Sequence, residues 1–174
     1  GELELSQQLT SMLQEVFAEV VAVADQAEVD ADALDRMSVE LAEFQTKQDQ
    51  QEAEWKQELT YSIDIGAVFK ERFSISPDGV QWKGKTTPLE KITRIRWGGT
   101  SHSVNGIPSG TNYTVVFGTD TNSTSISIRK TNTYDGIVQR LWKGAGVQIL
   151  INLIENLKTG ATVEIGGVVV ADAG

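Results

Sequence analysis

His102 is the single histidine of the chain, and it stands between Ser101 and Ser103 in a stretch rich in Gly, Ser, Thr and Asn. A serine nucleophile needs a base that is itself oriented by an acid. Neighbouring residues on one loop do not supply that geometry. A metal site would also need more ligands than one His, and the chain has no cysteine. Asp30-Ala31-Asp32-Ala33-Leu34-Asp35 opens like a calcium loop. It then places Leu34 at a ligand position, Asp35 where the sharp turn needs Gly, and Leu41 where a bidentate Glu belongs. The stretch reads as a helix start instead. The Gly98-Gly99 pair and the Gly106–Gly110 region lack the following helix that a phosphate-cradling loop requires. The expectation is no catalytic residue, no cofactor and no metal, hence not an enzyme.

The residues left for binding are basic and aromatic. Lys83 and Lys85 precede Arg94-Ile95-Arg96, a basic-x-basic pair on an expected strand. Arg grips phosphate bidentately and Lys meets it as a point charge. A solvated outer sheet face gives the same pattern, as does an edge strand protected by charge. Trp82, Trp97 and His102 are candidate partner contacts, although tryptophans at alternating strand positions more often face a core.

The charge is divided. Residues 1–58 carry 15 acidic and 3 basic side chains, whereas residues 59–174 carry 9 and 12. That change of sign places a boundary near residue 58. The acidic half reads as a solvated helical face. It argues against nucleic acid and makes an anionic membrane a weaker partner than a protein. With no apolar run of membrane-spanning length and no visible signal peptide, a cytoplasmic location is expected. Asn112 and Asn122 fit the glycosylation pattern and are read as turn residues.

The elements follow from periodicity. Leu5, Leu9, Met12, Leu13, Val16, Phe17, Val20 and Val21 form one helical stripe. Residues 25–32 interrupt it, and Asp30 or Asp32 can cap a second helix. There Leu34, Met37, Leu41 and Phe44 continue through Gln48 and Gln51 to Trp55. The polar seam positions predict a loose or exposed far end. The two helices make a hairpin with a thin core, whose stripes need the following domain or a second chain. Self-association through residues 1–58, as a homodimer, is therefore an expectation.

From about Tyr61 the period becomes two. Phe69 to Ile75 reads as a strand, Pro77-Asp78-Gly79 as a tight turn, and Val80 to Lys85 as the return strand. Ile92 to Trp97 follows, with Thr93, Ile95 and Trp97 on the apolar face. Gly98 to Asn112 is expected to be a loop, long enough to be functional. Tyr113 to Phe117 and Ser123 to Arg129 complete five or six strands. A helix from Thr133 or Asp135 to Leu157, ended by Gly160, carries a wide apolar sector that must be buried against a sheet. Gly144 and Gly146 within it predict a bend or a close approach.

The stretches Phe73-Ser-Ile-Ser-Pro-Asp-Gly-Val-Gln-Trp-Lys, Ile92-Thr-Arg-Ile-Arg-Trp and Tyr113-Thr-Val-Val-Phe-Gly, closed by the helix Ile137 to Leu157, resemble the bacterial pleckstrin-homology-like (PH-like) domains. The resemblance covers residues 59–160 and rests on element order rather than a specific motif. It implies an α+β fold: an N-terminal helical hairpin, then an antiparallel β-barrel or sandwich capped by a C-terminal helix. A full member has seven strands before that helix. Eukaryotic members bind phosphoinositides through a strand lysine followed by a basic-x-basic pair, which would assign Lys83 or Lys85 with Arg94 and Arg96. Ile63-Asp-Ile-Gly-Ala-Val is echoed by Val163-Glu-Ile-Gly-Gly-Val, so residues 161–174 are expected to open a second, truncated copy of a tandem domain. The reading that results is a non-catalytic interaction module binding a protein or peptide, with anionic lipid headgroups as the alternative.

Overall fold

The computed structural model describes residues 15–20, 22–23 and 30–159, with side chains omitted at 100–103, 108 and 109. The apolar residues expected at positions 5 to 13 and 21, the helix stop at Gly160 and the repeat at 161–174 lie outside the described residues. Residues 15–20 and 22–23 are helical (α1), with Val16, Val20 and Val23 buried. Asp30 caps the next helix, its Oδ1 accepting from the Ala33 amide at 3.1 Å, and Ala31–Gln50 (α2) follows.

Leu34, Met37 and Leu41 face the interior, as their spacing requires. The seam does not run unbroken to Trp55. The helix stops at Gln51, where the backbone leaves the helical region, and Glu52–Leu59 (α3) restarts it. The far end expected to be loose is anchored instead. Trp55 is half-buried against the core, and its indole N–H donates to the Lys143 carbonyl at 3.2 Å.

The strands are Tyr61–Ile65 (β1), Glu71–Ser76 (β2), Gly79–Trp82 (β3), Lys85–Thr87 (β4), Arg94–Val104 (β5), Ile107–Gly118 (β6) and Ser123–Ile128 (β7). They form two antiparallel sheets in the orders β1-β2-β3-β4 and β5-β6-β7. The expected return strand is divided by a turn at Lys83-Gly84, which brings the count among the described residues to seven. Alternation places Phe73, Ile75 and Val80 of one sheet in the same core as Ile95, Val115, Phe117, Ile126 and Ile128 of the other. The fold is α+β, and no described strand pairing closes either sheet.

The stretch from Gly98 to Asn112 is not a loop. β5 and β6 continue as a hairpin to Val104 and Ile107, joined by the two-residue turn Asn105-Gly106 with φ of 53° and 79°. Asn-Gly is the preferred pair for a turn that needs positive φ at both positions. The small polar residues around it hid that signal. Asn112 consequently lies in a strand, while Asn122 sits in the β6–β7 turn, its carbonyl accepting from the Thr119 amide at 2.8 Å.

The C-terminal helix has three parts: Thr131–Leu141 (α4), a π-wound turn Trp142–Gly146, and Val147–Thr159 (α5). The two mid-helix glycines fall inside the π turn. A Cβ on Gly144 would sit 3.0 Å from Leu89 Cδ2 and 3.2 Å from Leu59 Cδ1, so close packing accounts for that glycine. α5 also packs against α2, where Lys158 pairs with Asp35 at 2.6 Å. The described part of the arm's apolar stripe is therefore covered within the chain.

At the π turn, Lys143 is 3% exposed and its ammonium pairs with Glu58, which is 7% exposed. Breaking such a pair leaves a buried charge alone, a loss of about 3–5 kcal/mol. Glu58→Ala and Lys143→Ala should each lower unfolding free energy by that order in urea titrations. The double replacement Glu58→Leu/Lys143→Met should cost less than the sum of the two single losses. Additive losses would show that the charges are independent.

Candidate interaction surface

The register of the four-stranded sheet gathers two connections at one end. Ile65 pairs with Glu71 across the β1–β2 turn, and Trp82 pairs with Lys85 across the β3–β4 turn. β2 and β3 pair outward from Ser76 and Gly79, which places both turns opposite the Pro77-Asp78 turn.

In the β1–β2 turn Gly66 adopts φ of 125°, and a Cβ there would collide with the Phe69 carbonyl. Only glycine fits this approach. The tight turn leaves Val68 84% and Phe69 90% exposed. Phe69 is the first residue of the strand expected over Phe69 to Ile75. β2 starts two residues later, so Phe69 belongs to the turn. Two adjacent large apolar side chains this exposed form a small apolar patch at this end of the sheet.

The charges near them are mixed, and exposed Glu71 at the start of β2 is acidic. Arg72 is committed, its Nε lying 2.7 Å from Asp64 and Nη1 3.2 Å from Ser62 Oγ. Lys70 and Lys85 are exposed and make no ion pair among the described residues. Lys83 has φ of 50°, and its ammonium sits 5.7 Å from the Trp82 ring centroid. Trp82 is half-buried against the core margin. This end thus offers an apolar tip beside cations.

Arg94 and Arg96 are placed elsewhere. Both lie on β5, whose hydrogen-bonded neighbour is β6, and no described pairing joins β4 to β5. The structure does not set them on the strand beside Lys85. Arg94 lies across its register partner Gly118, where a Cβ would meet the guanidinium. Arg96 is exposed. Trp97 is half-buried in an aromatic cluster, 5.4 Å from Trp142 and 6.1 Å from Phe17 between ring centroids. The backbone of His102 pairs with Gly110, and its side chain lies outside the described residues.

Two features escaped the sequence reading. Lys143 is the only charged residue from Leu141 to Ile154, and a lone charge in a wide apolar sector signals a buried partner. Tyr113 stacks on Tyr134 at 4.4 Å and its hydroxyl lies 2.9 Å from Thr131 Oγ1, tying β6 to α4. Burial foremost, then Asp135 and Tyr113, pushes the Tyr134 phenol above its ordinary value.

Among the described residues, no three His, Asp or Glu side chains converge as metal ligands, and no helix is long and apolar enough to cross a membrane. No protein-family model, curated protein or solved structure matches the chain.

Gly66→Ala should destabilise by about 1–3 kcal/mol, the cost of a strained backbone position. Phe69→Ser should change stability by less than about 0.5 kcal/mol, because an exposed side chain adds little to folding. Equilibrium denaturation of both variants separates a turn that shapes the surface from a side chain that is merely displayed.

Proposed function

We propose that the chain is a non-catalytic interaction module on a PH-like framework. Seven antiparallel strands, arranged as four and three and followed by one long helix, support that framework. The single observation that carries the function is the exposed Val68-Phe69 tip at the same sheet end as Lys70, Lys83 and Lys85. Exposed apolar surface has no folding role, and cations beside it select partners with acidic character. The preferred occupant is a protein or peptide segment carrying apolar and acidic residues together. The helical arm, whose described stripe is used within the chain, braces the domain in this reading.

Anionic lipid headgroups are the second reading, favoured by the same juxtaposition of an aromatic tip and lysines. The acidic arm opposes it, since residues 1–58 carry a net charge of −12 from 15 acidic and 3 basic side chains.

Selection from a random peptide library, read out by fluorescence anisotropy, tests the first reading. Selected peptides should be apolar and acidic. Phe69→Ser and Lys83→Ala should each weaken binding at least about tenfold, a loss of about 1.4 kcal/mol. Binding unchanged in both variants, or no peptide selected, removes the reading. Co-sedimentation with phosphatidylserine vesicles tests the second: pelleting that depends on anionic lipid and falls with salt supports it.

A further inference from the structure

The β5–β6 hairpin outruns the sheet that carries it. β7 pairs with β6 only from Gly118 to Tyr113, whereas β5 and β6 stay paired to the Val104–Ile107 turn. The row Gly99–Tyr113 is the last one held to the body. There Tyr113 covers Gly99 and stacks on Tyr134. Beyond it runs a two-stranded ribbon on the order of 15–20 Å long, at about 3.3 Å per residue. Its end displays Val104 and Ile107, 62% and 69% exposed.

A two-stranded hairpin alone is marginal in water. The outer edge of β5 has no strand partner among the described residues along its whole length. Unpaired edges are normally blunted by charge, proline or shortness. β1 carries Asp64, β4 is three residues long with Lys85, and β7 runs into Arg129 and Lys130. β6 carries Pro108 in its distal half. β5 has none of these devices after Arg96: no Asp, Glu, Lys or Arg occurs from Trp97 to Thr119, in a chain that is 22% charged.

Gly98 is buried, so the accessible edge begins at Gly99. We infer that the outer edge of β5, from Gly99 to Val104, pairs with the same edge of a second copy of this chain. Antiparallel pairing of identical edges is two-fold symmetric, so one surface serves both partners. It sets the two bodies at opposite ends of the joined ribbons. That separation exceeds the ~8 Å screening length at physiological salt, so copies with a formal charge of −9 can approach by this route. The uncharged stretch removes repulsion where the chains touch. The interface is small, which sets a weak, concentration-dependent dimer.

Sedimentation velocity of the full chain, from low micromolar to submillimolar protein, should show a monomer–dimer equilibrium that does not weaken when salt is raised above the physiological level. Thr100→Glu/Ser103→Glu places like charges along the symmetric edge and should weaken dimerisation at least about tenfold. Val39→Glu, on the exposed face of α2, should leave it within about twofold, as expected of a surface site outside the interface. A monomer throughout, as a strand from another protein would require, overturns the inference. So does a dimer that dissolves in salt or that responds to Val39→Glu and not to the ribbon pair. Should the ribbon variant lose its cooperative melt, hydrogen exchange on the unaltered chain decides. Protection of the amides from residue 99 to 104 must rise with protein concentration, and its absence is fatal.

Discussion

An ammonium group cannot sit alone in an apolar interior, and Lys143 sits in one. Several features of the chain follow from this constraint. A carboxylate must be delivered to it, and Glu58 arrives from α3. Trp55, Glu58 and Leu59 share one face of that short helix, so the carboxylate brings an indole and a leucine with it. The indole reaches the Lys143 carbonyl, and Leu59 packs beside Gly144. The π turn widens the helix where these groups meet, and such turns commonly interrupt helices at specialised places. One residue is thus held at both its side chain and its carbonyl by the same eight-residue helix. The second Glu58 oxygen has no partner among the described residues, and neither does the Trp142 indole N–H. A buried pair with a spare acceptor is a poor source of stability but a strict determinant of where α3 can dock.

That docking explains the break at Gln51. A straight continuation of α2 would carry the seam along one line, while α2 already packs on α5, where Asp35 pairs with Lys158. Restarting the helix frees Trp55 and Glu58 to turn toward the π segment. The arm also reaches the three-stranded sheet through Phe17, whose ring meets Trp97 at 6.1 Å and Trp142 at 5.7 Å. Aromatic contacts of this kind add about 0.5–1.5 kcal/mol each beyond burial. Trp97 is therefore a joint between arm, sheet and helix. The boundary marked by the change of charge sign near residue 58 is a compositional boundary that the packing crosses.

What could be read in advance depended on how local its cause was. The Asp30 cap, the Pro77-Asp78-Gly79 turn, the inward faces of α2 and β5, and the wide apolar sector of the last helix all rest on residues within one turn or one strand of each other. The split at Lys83-Gly84 and the extension past Gly98 were obscured because Lys, Ser, Thr and Gly say little about pleating on their own. Asn105-Gly106 was the local clue to the hairpin, overlooked inside a polar stretch. The Glu58–Lys143 pair spans the chain, and only the isolation of Lys143 in an apolar helix pointed to it. At the candidate surface Lys83 and Lys85 stand out in the sequence by their charge. Val68 and Phe69 do not, because Phe69 reads as the start of a strand and the positive φ of Gly66 places it in the turn instead.

Charge is distributed as if each surface had a separate task. Arg72 is neutralised by Asp64 on the sheet face, while Lys70 and Lys85 at the sheet end are unpaired among the described residues. Neutralising an arginine while leaving lysines exposed keeps the sheet face inert and the sheet end attractive to acidic groups. The distal hairpin goes further and carries no Asp, Glu, Lys or Arg. A strand edge with no charge presents only its amides and carbonyls, and those are complementary to any strand of suitable register. Selectivity there must come from geometry. A two-fold arrangement supplies it, because each ribbon is the template that the other ribbon fits.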